Sequence, residues 1–154
     1  MPKQYYKVKN YRSRRSIGYL LRHASKLITA RIEALFVSED VTFVQWVILM
    51  NLRDGLARTS AELCQRICHD SGALVRVLDQ MEKRKLIRRT RSKEDRRIVE
   101  LKLTKTGREI TESFLPAVVE LYNSLLEDFS SKEADMIVDL LTRFTDKLSD
   151  TAGA

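Results

Sequence analysis

Apolar residues recur at helical spacing along the first third of the chain. Between Ile17 and Leu35 they fall three or four positions apart, which predicts a long amphipathic helix. Thr42 can cap a second helix that runs to Arg53. Because this second segment is apolar on nearly all sides, we expect it at the buried centre of the fold.

Two shorter helices with a turn between them are predicted next. Thr59 and Glu62 have the spacing of a capping box, which opens a third helix. Asp70 or Ser71 can cap a fourth helix. One stripe of this fourth helix is apolar and is expected to be buried: Leu74, Val77, Leu78 and Met81. Two helices joined in this way are typical of a helix-turn-helix, whose second helix enters the major groove of DNA.

The pattern then changes from helical spacing to alternation. Residues 86–91 and 98–103 predict two strands around a charged tip. In the second strand Val99, Leu101 and Leu103 are expected to point inward. Such a hairpin after a helix-turn-helix is the wing of a winged helix.

Helical spacing returns after Thr104 and continues nearly to the end of the chain. Pro116 is expected to kink the first of these two helices. Ser130 and Glu133 form a capping box for the last one. The predicted fold class is therefore mainly α with a small β-hairpin wing, a winged helix-turn-helix with long helices at both ends of the chain.

The size and charge of the chain point to a partner. With 154 residues, 44% of them hydrophobic, the chain can form one compact domain. Its formal net charge is +7, and residues 57–108 hold 15 Lys and Arg against 7 Asp and Glu, whereas residues 109–154 hold 3 against 10. A basic middle beside an acidic end is typical of a polyanion-binding face, so nucleic acid is the leading partner. A solvated charged surface without a partner is the alternative.

Other classes of function are disfavoured by what the sequence lacks. No apolar run has the length of a signal peptide or a membrane span, so we expect a cytoplasmic protein that does not enter a membrane. There is no phosphate-binding loop, no pair of carboxylates in an apolar setting and no nucleophile with a base at a suitable spacing. We therefore expect neither an enzyme nor a bound cofactor.

The two cysteines, Cys64 and Cys68, lie four positions apart in the predicted third helix. Their apolar neighbours are typical of packing residues in a reducing compartment, and regulation by thiol oxidation is the alternative. With His69 they would offer three metal ligands, but the spacing matches no common zinc pattern, so no metal site is expected.

Two motifs resemble the MarR family of transcriptional regulators. Asp95–Arg97 followed by Leu103–Gly107 matches the D-x-R wing and the L-T-x-x-G helix start of that family. Leu78–Lys83 followed by Leu86 and Ile87 is similar to the end of its recognition helix. The resemblance covers about Ile17 to Leu148.

Two residues depart from the family pattern. Lys85 stands where the family usually has glycine, so the turn that leaves the recognition helix is expected to differ slightly. Val75 stands where threonine is common, which alters the expected base contacts.

The resemblance implies a homodimer and a division of the chain. The expected division is a single MarR-like domain over residues 1–154, with a DNA-binding winged-helix lobe at about 42–103 and dimerisation helices at about 15–36 and 104–150. A two-fold dimer presents two recognition helices to a pseudo-palindromic operator in double-stranded DNA.

Candidate DNA contacts lie on the polar face of the fourth helix and on the wing. Arg76 can reach a guanine edge, and its alternative is an ion pair with Asp79 on the same helix. Asp95 is expected to hold Arg97 in one rotamer for the minor groove. Arg88 and other wing cations are expected to neutralise phosphates. The full set of expected contacts is Ser71, Val75, Arg76, Gln80, Arg89, Arg91, Lys93, Asp95, Arg96 and Arg97.

The family resemblance also implies a small-molecule effector. Many relatives bind small aromatic or phenolic acids, or their coenzyme A thioesters, between the dimer helices and the DNA-binding lobe. Candidate contacts here are Arg15, Tyr19, His23, Phe43 and Trp46. Trp46 is as well explained as a core residue, His23 as an interface residue, and Arg15 as a DNA or solvent contact.

The function that these features predict is sequence-specific DNA binding by a transcriptional regulator, a repressor that a small aromatic ligand releases. The alternatives are an architectural DNA-binding protein without an effector, a repressor that responds to thiol oxidation, and a winged helix that binds an acidic protein.

Overall fold

The computed structural model describes residues 4–37, 40–67 and 70–152. Within these ranges the chain forms six α-helices and one antiparallel pair of strands. They are α1 (Ile17–Leu35), α2 (Phe43–Arg53), α3 (Ser60–Ile67), α4 (Ser71–Lys83), β1 (Ile87–Arg91), β2 (Val99–Leu103), α5 (Lys105–Leu125) and α6 (Ser131–Ala152). The predicted fold class, mainly α with a small hairpin wing, is confirmed. No helix in the described ranges is long and apolar enough to cross a membrane.

Local capping sets where most helices begin. Capping boxes pair Thr42 with Gln45 at α2, Thr59 with Glu62 at α3 and Ser130 with Glu133 at α6. Asp70 caps α4, since its Oδ1 accepts hydrogen bonds from the backbone N–H groups of Gly72 and Ala73 at 2.8 and 3.2 Å. Each cap satisfies N–H groups that have no partner inside the helix.

A buried core holds α4 and the hairpin together in the first of two compact units, which reaches Leu115. Its members come from α2, α3, α4, the strands and the segments between them: Ile48, Leu49, Ala57, Leu63, Leu74, Leu78, Met81, Leu86, Ile87, Leu101 and Leu103. The stripe predicted on α4 lies in this core, with Val77 partly buried. Burial of such side chains contributes about 1.5–3 kcal/mol each before the entropy of folding is counted.

The hairpin register explains one error in the predicted burial pattern. Ile87 pairs with Leu103 and Arg91 pairs with Val99. Leu101 and Leu103 are buried as predicted, but Val99 is 45% exposed. The prediction for Val99 is wrong because this residue begins β2 at the tip end of the hairpin, beyond the core.

An aromatic cluster joins the residue that follows α1 to α2 and to the first half of α5. The Phe36 ring centroid lies 5.2 Å from that of Trp46 and 4.6 Å from that of Phe114. All three residues are buried. Trp46 therefore packs as a core residue of the first unit.

Two residues shape the junction between α4, β1 and α5. Lys85 has φ of 59°, in the left-handed region that favours glycine. The chain thus takes at Lys85 a conformation that a glycine adopts without strain, and the altered turn expected there stays a prediction. Gly107 in α5 packs against the carbonyl of Leu86, and a Cβ on Gly107 would lie 1.9 Å from that oxygen.

The second unit begins at Pro116 and contains the rest of α5 together with α6. The helix continues through Pro116, whose missing N–H removes one hydrogen bond from the helix. Large apolar side chains of α6 are exposed, among them Met136, Ile137, Leu140, Leu141 and Leu148. The expected single domain, with its lobe at about 42–103, stays a prediction.

Candidate nucleic-acid interface

One face of α4 is open to solvent and polar. Ser71, Val75, Arg76 and Gln80 are exposed on it, while Leu74 and Leu78 anchor the opposite face in the core. Ser71 and Val75, like Arg76 and Gln80, are one helical turn apart, so the four candidates share one surface. Within the described residues Arg76 makes no ion pair, which leaves its planar donor group available to a ligand.

The wing tip presents three cations on a loop that backbone hydrogen bonds hold closed. The N–H of Ser92 donates to the carbonyl of Ile98 at 2.9 Å, and the N–H of Ile98 donates to the carbonyl of Asp95 at 3.0 Å. Buried Ser92 also accepts from the N–H of Glu94 through its Oγ. The cations exposed at the closed tip are Lys93, Arg96 and Arg97, beside the exposed carboxylates of Glu94 and Asp95.

Asp95 acts on Arg97 differently from the prediction. Its Oδ1 accepts a hydrogen bond from the backbone N–H of Arg97 at 2.9 Å. Across the part of the chain that the structure describes, no ion pair joins their side chains. Asp95 therefore shapes the backbone of the wing tip in an Asx turn and leaves the Arg97 guanidinium in solvent.

Arg89 also departs from the prediction, because it is engaged within the protein. Its Nη1 lies 2.8 Å from Asp79 Oδ1 and 2.6 Å from Glu82 Oε2. Its backbone N–H donates to Glu82 Oε1 at 3.0 Å. Burial acts to lower the pKa of Arg89, but the hydrogen bonds to Asp79 and Glu82 outweigh it and the pKa is raised. Arg89 thus links the wing to the recognition helix α4.

Two contacts that position α4 were missed from the sequence. One is made by Glu82, whose carboxylate accepts hydrogen bonds from the backbone N–H and from the side chain of Arg89. The other is Arg84, which donates to the carbonyl of Asp40 at 2.6 Å and to Gln45 Oε1 at 3.3 Å. The spacing of Asp79 and Glu82 on one helix face signals a shared cation, but the sequence does not say which cation it is.

The remaining cations of the hairpin lie on different sides of it. Arg91, at the end of β1, is exposed beside the wing tip. Arg88 is exposed and adjacent in β1 to Arg89, so the alternation of a strand directs it away from α4.

The five candidate effector residues do not meet in one pocket of the described residues. Trp46 belongs to the aromatic cluster, and the exposed ring of Tyr19 stacks on His23 at 5.8 Å. Phe43 borders an open apolar depression of about 310 Å³ together with Val44, Val47 and Ile67. Arg15 borders a separate depression near the start of the chain.

Cysteine and metal chemistry can be assessed only in part. Cys64 is half-buried against the core, as expected of a packing residue. Cys68 and His69 lie outside the described residues. Among the residues that are described, no group of three or more His, Cys, Asp or Glu side chains is arranged to hold a metal ion.

Comparison with known proteins gives one consistent family. A sequence profile of the MarR family matches residues 39–98, which include α2, α3, α4 and β1. The transcriptional regulator SarZ of Staphylococcus aureus strain MRSA252 is 27% identical over 145 residues, 94% of this chain and 97% of SarZ. The relatives compared are regulators of transcription and not enzymes.

Solved structures agree with the sequence comparison. Bordetella bronchiseptica BpsR, whose DNA binding is regulated by 6-hydroxynicotinic acid, is similar with a TM-score of 0.76 at 27% identity; the match covers 88% of this chain and 97% of that one. A mutant of MarR from E. coli, complexed with operator DNA, is similar with a TM-score of 0.72 at 26% identity, over 83% and 92% of the two chains.

Proposed function

We propose that this chain is a transcriptional repressor of the MarR family that binds a pseudo-palindromic DNA operator as a homodimer; the match of residues 39–98 to the sequence profile of that family supports this. It acts on DNA inside the cell, so the proposal includes a cytoplasmic location. The similarity to a MarR protein complexed with operator DNA supports the choice of double-stranded DNA as the partner.

The observation that carries the proposal is the pairing of two exposed cationic features in one lobe. The polar face of α4 presents Arg76, and the wing tip presents Lys93, Arg96 and Arg97. In winged helices the recognition helix enters the major groove and the basic wing reaches the adjacent backbone or minor groove. At the wing tip these cations outnumber the exposed carboxylates of Glu94 and Asp95.

Specific roles follow from side-chain chemistry. Arg76 would read a guanine through its O6 and N7 acceptors, and Val75 would contact a thymine methyl group. Ser71 and Gln80 would donate to bases or phosphates from the same face. Arg97 would enter the minor groove, while Lys93, Arg96 and Arg91 neutralise phosphates.

The homodimer is supported by apolar surface at both ends of the chain. On α1 the side chains of Ile17, Leu20 and Leu27 are 41–52% exposed. On α6 the exposed apolar side chains recur at helical spacing, as at Met136, Leu140 and Leu141. Exposed apolar surface on a helix is typical of an interface, and a two-fold partner is the simplest one.

The test is selection of genomic DNA fragments by the purified full-length protein, followed by sequencing. A pseudo-palindrome with half-sites about one helical turn apart, upstream of a few genes, is the expected result. Recovery spread over the genome without a motif would overturn specific regulation and leave the architectural alternative. Transcription from a recovered promoter, with and without the protein, then distinguishes repression from activation.

The repressor is proposed to be released by a small aromatic or phenolic acid or its coenzyme A thioester. The regulation of BpsR by 6-hydroxynicotinic acid supports this class, and Phe43 borders an apolar depression large enough for one ring. Calorimetry with 6-hydroxynicotinate, hydroxybenzoates and hydroxycinnamates, free and as thioesters, tests it. Binding that weakens the operator complex is expected, and no binding across the panel would contradict it.

The thiol-oxidation alternative is tested by alkylation of the native protein. Slow modification of Cys64, with the operator complex intact, is expected of a packing residue. Rapid modification that releases DNA would favour the redox alternative over the aromatic effector.

A further inference from the structure

A concave basic site lies against the hairpin face that carries Arg88, Glu100 and Lys102. Cross-strand pairing of Arg88 with Lys102 places their side chains on one face. The opposite face carries Arg89, which reaches α4. The site, called here the basic cleft, has a volume of about 270 Å³ and is also bordered by Arg58 and Arg108.

The cations of the basic cleft come from separate parts of the fold. Arg53 is the last residue of α2, Arg58 follows in the α2–α3 loop, Arg88 is in β1 and Arg108 is in the first turns of α5. Lys102 is in β2. Among the residues that border the cleft, five are cationic and one, Glu100, carries a carboxylate. A concave surface lined by one sign of charge concentrates counter-ions.

Existing ion pairs account for only some of this charge. Arg53 is paired with Glu112 at 2.9 Å, and Lys102 with Glu100 at 2.8 Å. The hydrogen bond from Lys102 is the main cause of the lowered pKa of Glu100, and the charge of Arg58 adds to it. Arg88 and Arg108 form no ion pair with any residue that the structure describes. These two guanidinium groups are therefore available to bind the anionic group of a ligand.

The walls between the cations are apolar. Leu52 and Ala57 border the cleft, as do Leu101 and Leu103, whose side chains lie mostly in the core. A volume of this size is near the lower end for small-molecule sites, and it is concave. On the opposite face of the hairpin, Arg89 is paired with Asp79 of α4.

We propose that the basic cleft binds a small organic dianion, a phosphate monoester with an apolar body. Arg88 and Arg108 would each donate two parallel hydrogen bonds to phosphate oxygens, a geometry that guanidinium favours over ammonium. The apolar body would lie against Leu52 and Ala57. The proposal does not depend on the DNA-binding function, because no residue of α4 borders the cleft and binding can be tested without DNA.

The test is a titration of the full-length, ¹⁵N-labelled protein with phenyl phosphate, followed by amide NMR shifts. Shifts are expected at Gly55, Leu101 and Lys102, which border the cleft, and not at Arg76 on α4. Inorganic phosphate reports the phosphate contribution alone, and phenol reports the ring alone. Both should bind more weakly than phenyl phosphate.

The variant Arg88→Gln/Arg108→Gln should weaken phenyl phosphate binding by about tenfold or more. The variant Arg88→Lys/Arg108→Lys keeps the charge but loses the fork, so it should bind with intermediate affinity. Arg31→Gln, an exposed arginine on α1, is the matched control and should bind as the wild type does. Melting by circular dichroism shows that each variant is folded.

Three results would overturn the proposal. The first is an absence of shifts at the cleft, and the second is equal binding by the wild type and the glutamine double variant. The third is a combination of two results: the wild type does not bind phenyl phosphate, and the glutamine double variant loses affinity for duplex DNA. This combination would show that the cleft binds the DNA backbone instead.

Discussion

Arg89 in the wing and Asp79 in the recognition helix form an ion pair, with Arg89 Nη1 2.8 Å from Asp79 Oδ1. The same guanidinium meets Glu82 one turn further along α4. This arrangement fixes the hairpin against α4, so that the two proposed DNA-contacting elements keep a fixed relative position. It also neutralises two carboxylates that would otherwise repel the phosphates of DNA bound at the proposed interface.

Arg89→Gln is expected to weaken operator binding by about tenfold while changing the free energy of unfolding by only about 1 kcal/mol. The reason is that Asp79 and Glu82 become unpaired negative charges near the DNA. Asp79→Asn added to Arg89→Gln should restore part of the affinity, measured by fluorescence anisotropy on a selected operator. If Arg89 instead contacted a phosphate, the second substitution would restore nothing and the salt dependence would fall by about one unit of slope.

The local parts of this fold could be predicted, and the long-range parts could not. The capping boxes at Thr59 and Ser130 and the buried stripe of α4 depend on residues within one or two turns, so spacing alone reveals them. The partner of Arg89 depends on how the hairpin packs on α4, which no spacing encodes.

The two wrong predictions, for Asp95 and Val99, also concern features that depend on how the hairpin folds and packs. Asp95 was expected to contact the side chain of Arg97, but it accepts a hydrogen bond from the backbone N–H of Arg97. The charge pattern of the loop does not reveal this backbone contact. Val99 alternates correctly in β2 but lies beyond the end of the core. The proposed DNA contacts at Arg76 and Arg97 stay predictions, since they concern a partner outside the chain.

Arg97→Ala is expected to weaken operator binding by about 1–3 kcal/mol, the scale of one good arginine contact with DNA. Wild-type affinity should also fall steeply with salt, because each neutralised phosphate releases a condensed counter-ion. Titrations at several salt concentrations measure both effects, with Arg31→Ala as an exposed arginine outside the lobe. Unchanged affinity of Arg97→Ala would remove Arg97 from the interface.

Lys85→Gly is expected to raise the free energy of unfolding by about 1 kcal/mol. Lys85 has φ of 59°, where the Cβ of an L-residue is strained, and this gain exceeds the extra entropy of glycine in the unfolded chain. Lys85→Ala keeps the Cβ and is the matched control. Urea denaturation should separate the two variants, and equal stabilities would argue against strain at this turn.

Glu62 is expected to stabilise the fold at neutral pH and to lose this effect in acid. Hydrogen bonds from the backbone N–H of Arg58, and then of Thr59, lower the pKa of Glu62 below its ordinary value of 4.5. A group whose folded-state pKa is depressed contributes above its unfolded-state pKa, and the contribution disappears as the pH falls through the folded-state pKa.

Glu62→Gln removes that titration and keeps an oxygen that can accept the capping bonds. The stability advantage of the wild type over Glu62→Gln should therefore shrink as the pH is lowered from about 6 to about 3. Glu127→Gln, an exposed glutamate outside any described cap, is the control. A constant difference between wild type and Glu62→Gln over this range would contradict the assignment.

Gly107→Ala is expected to destabilise the fold by about 3 kcal/mol or more, because a Cβ at this position would lie 1.9 Å from the Leu86 carbonyl oxygen. That oxygen also accepts from the backbone N–H of Thr104 at 3.1 Å, so it cannot move away without breaking the junction between β1 and α5. Gly18→Ala, near the start of α1 with no atom within 4 Å of the new Cβ, should be neutral or slightly stabilising. Similar urea midpoints for the two variants would show that α5 does not approach Leu86 this closely. A selective loss for Gly107→Ala means instead that the close approach of α5 to Leu86 holds the base of the wing.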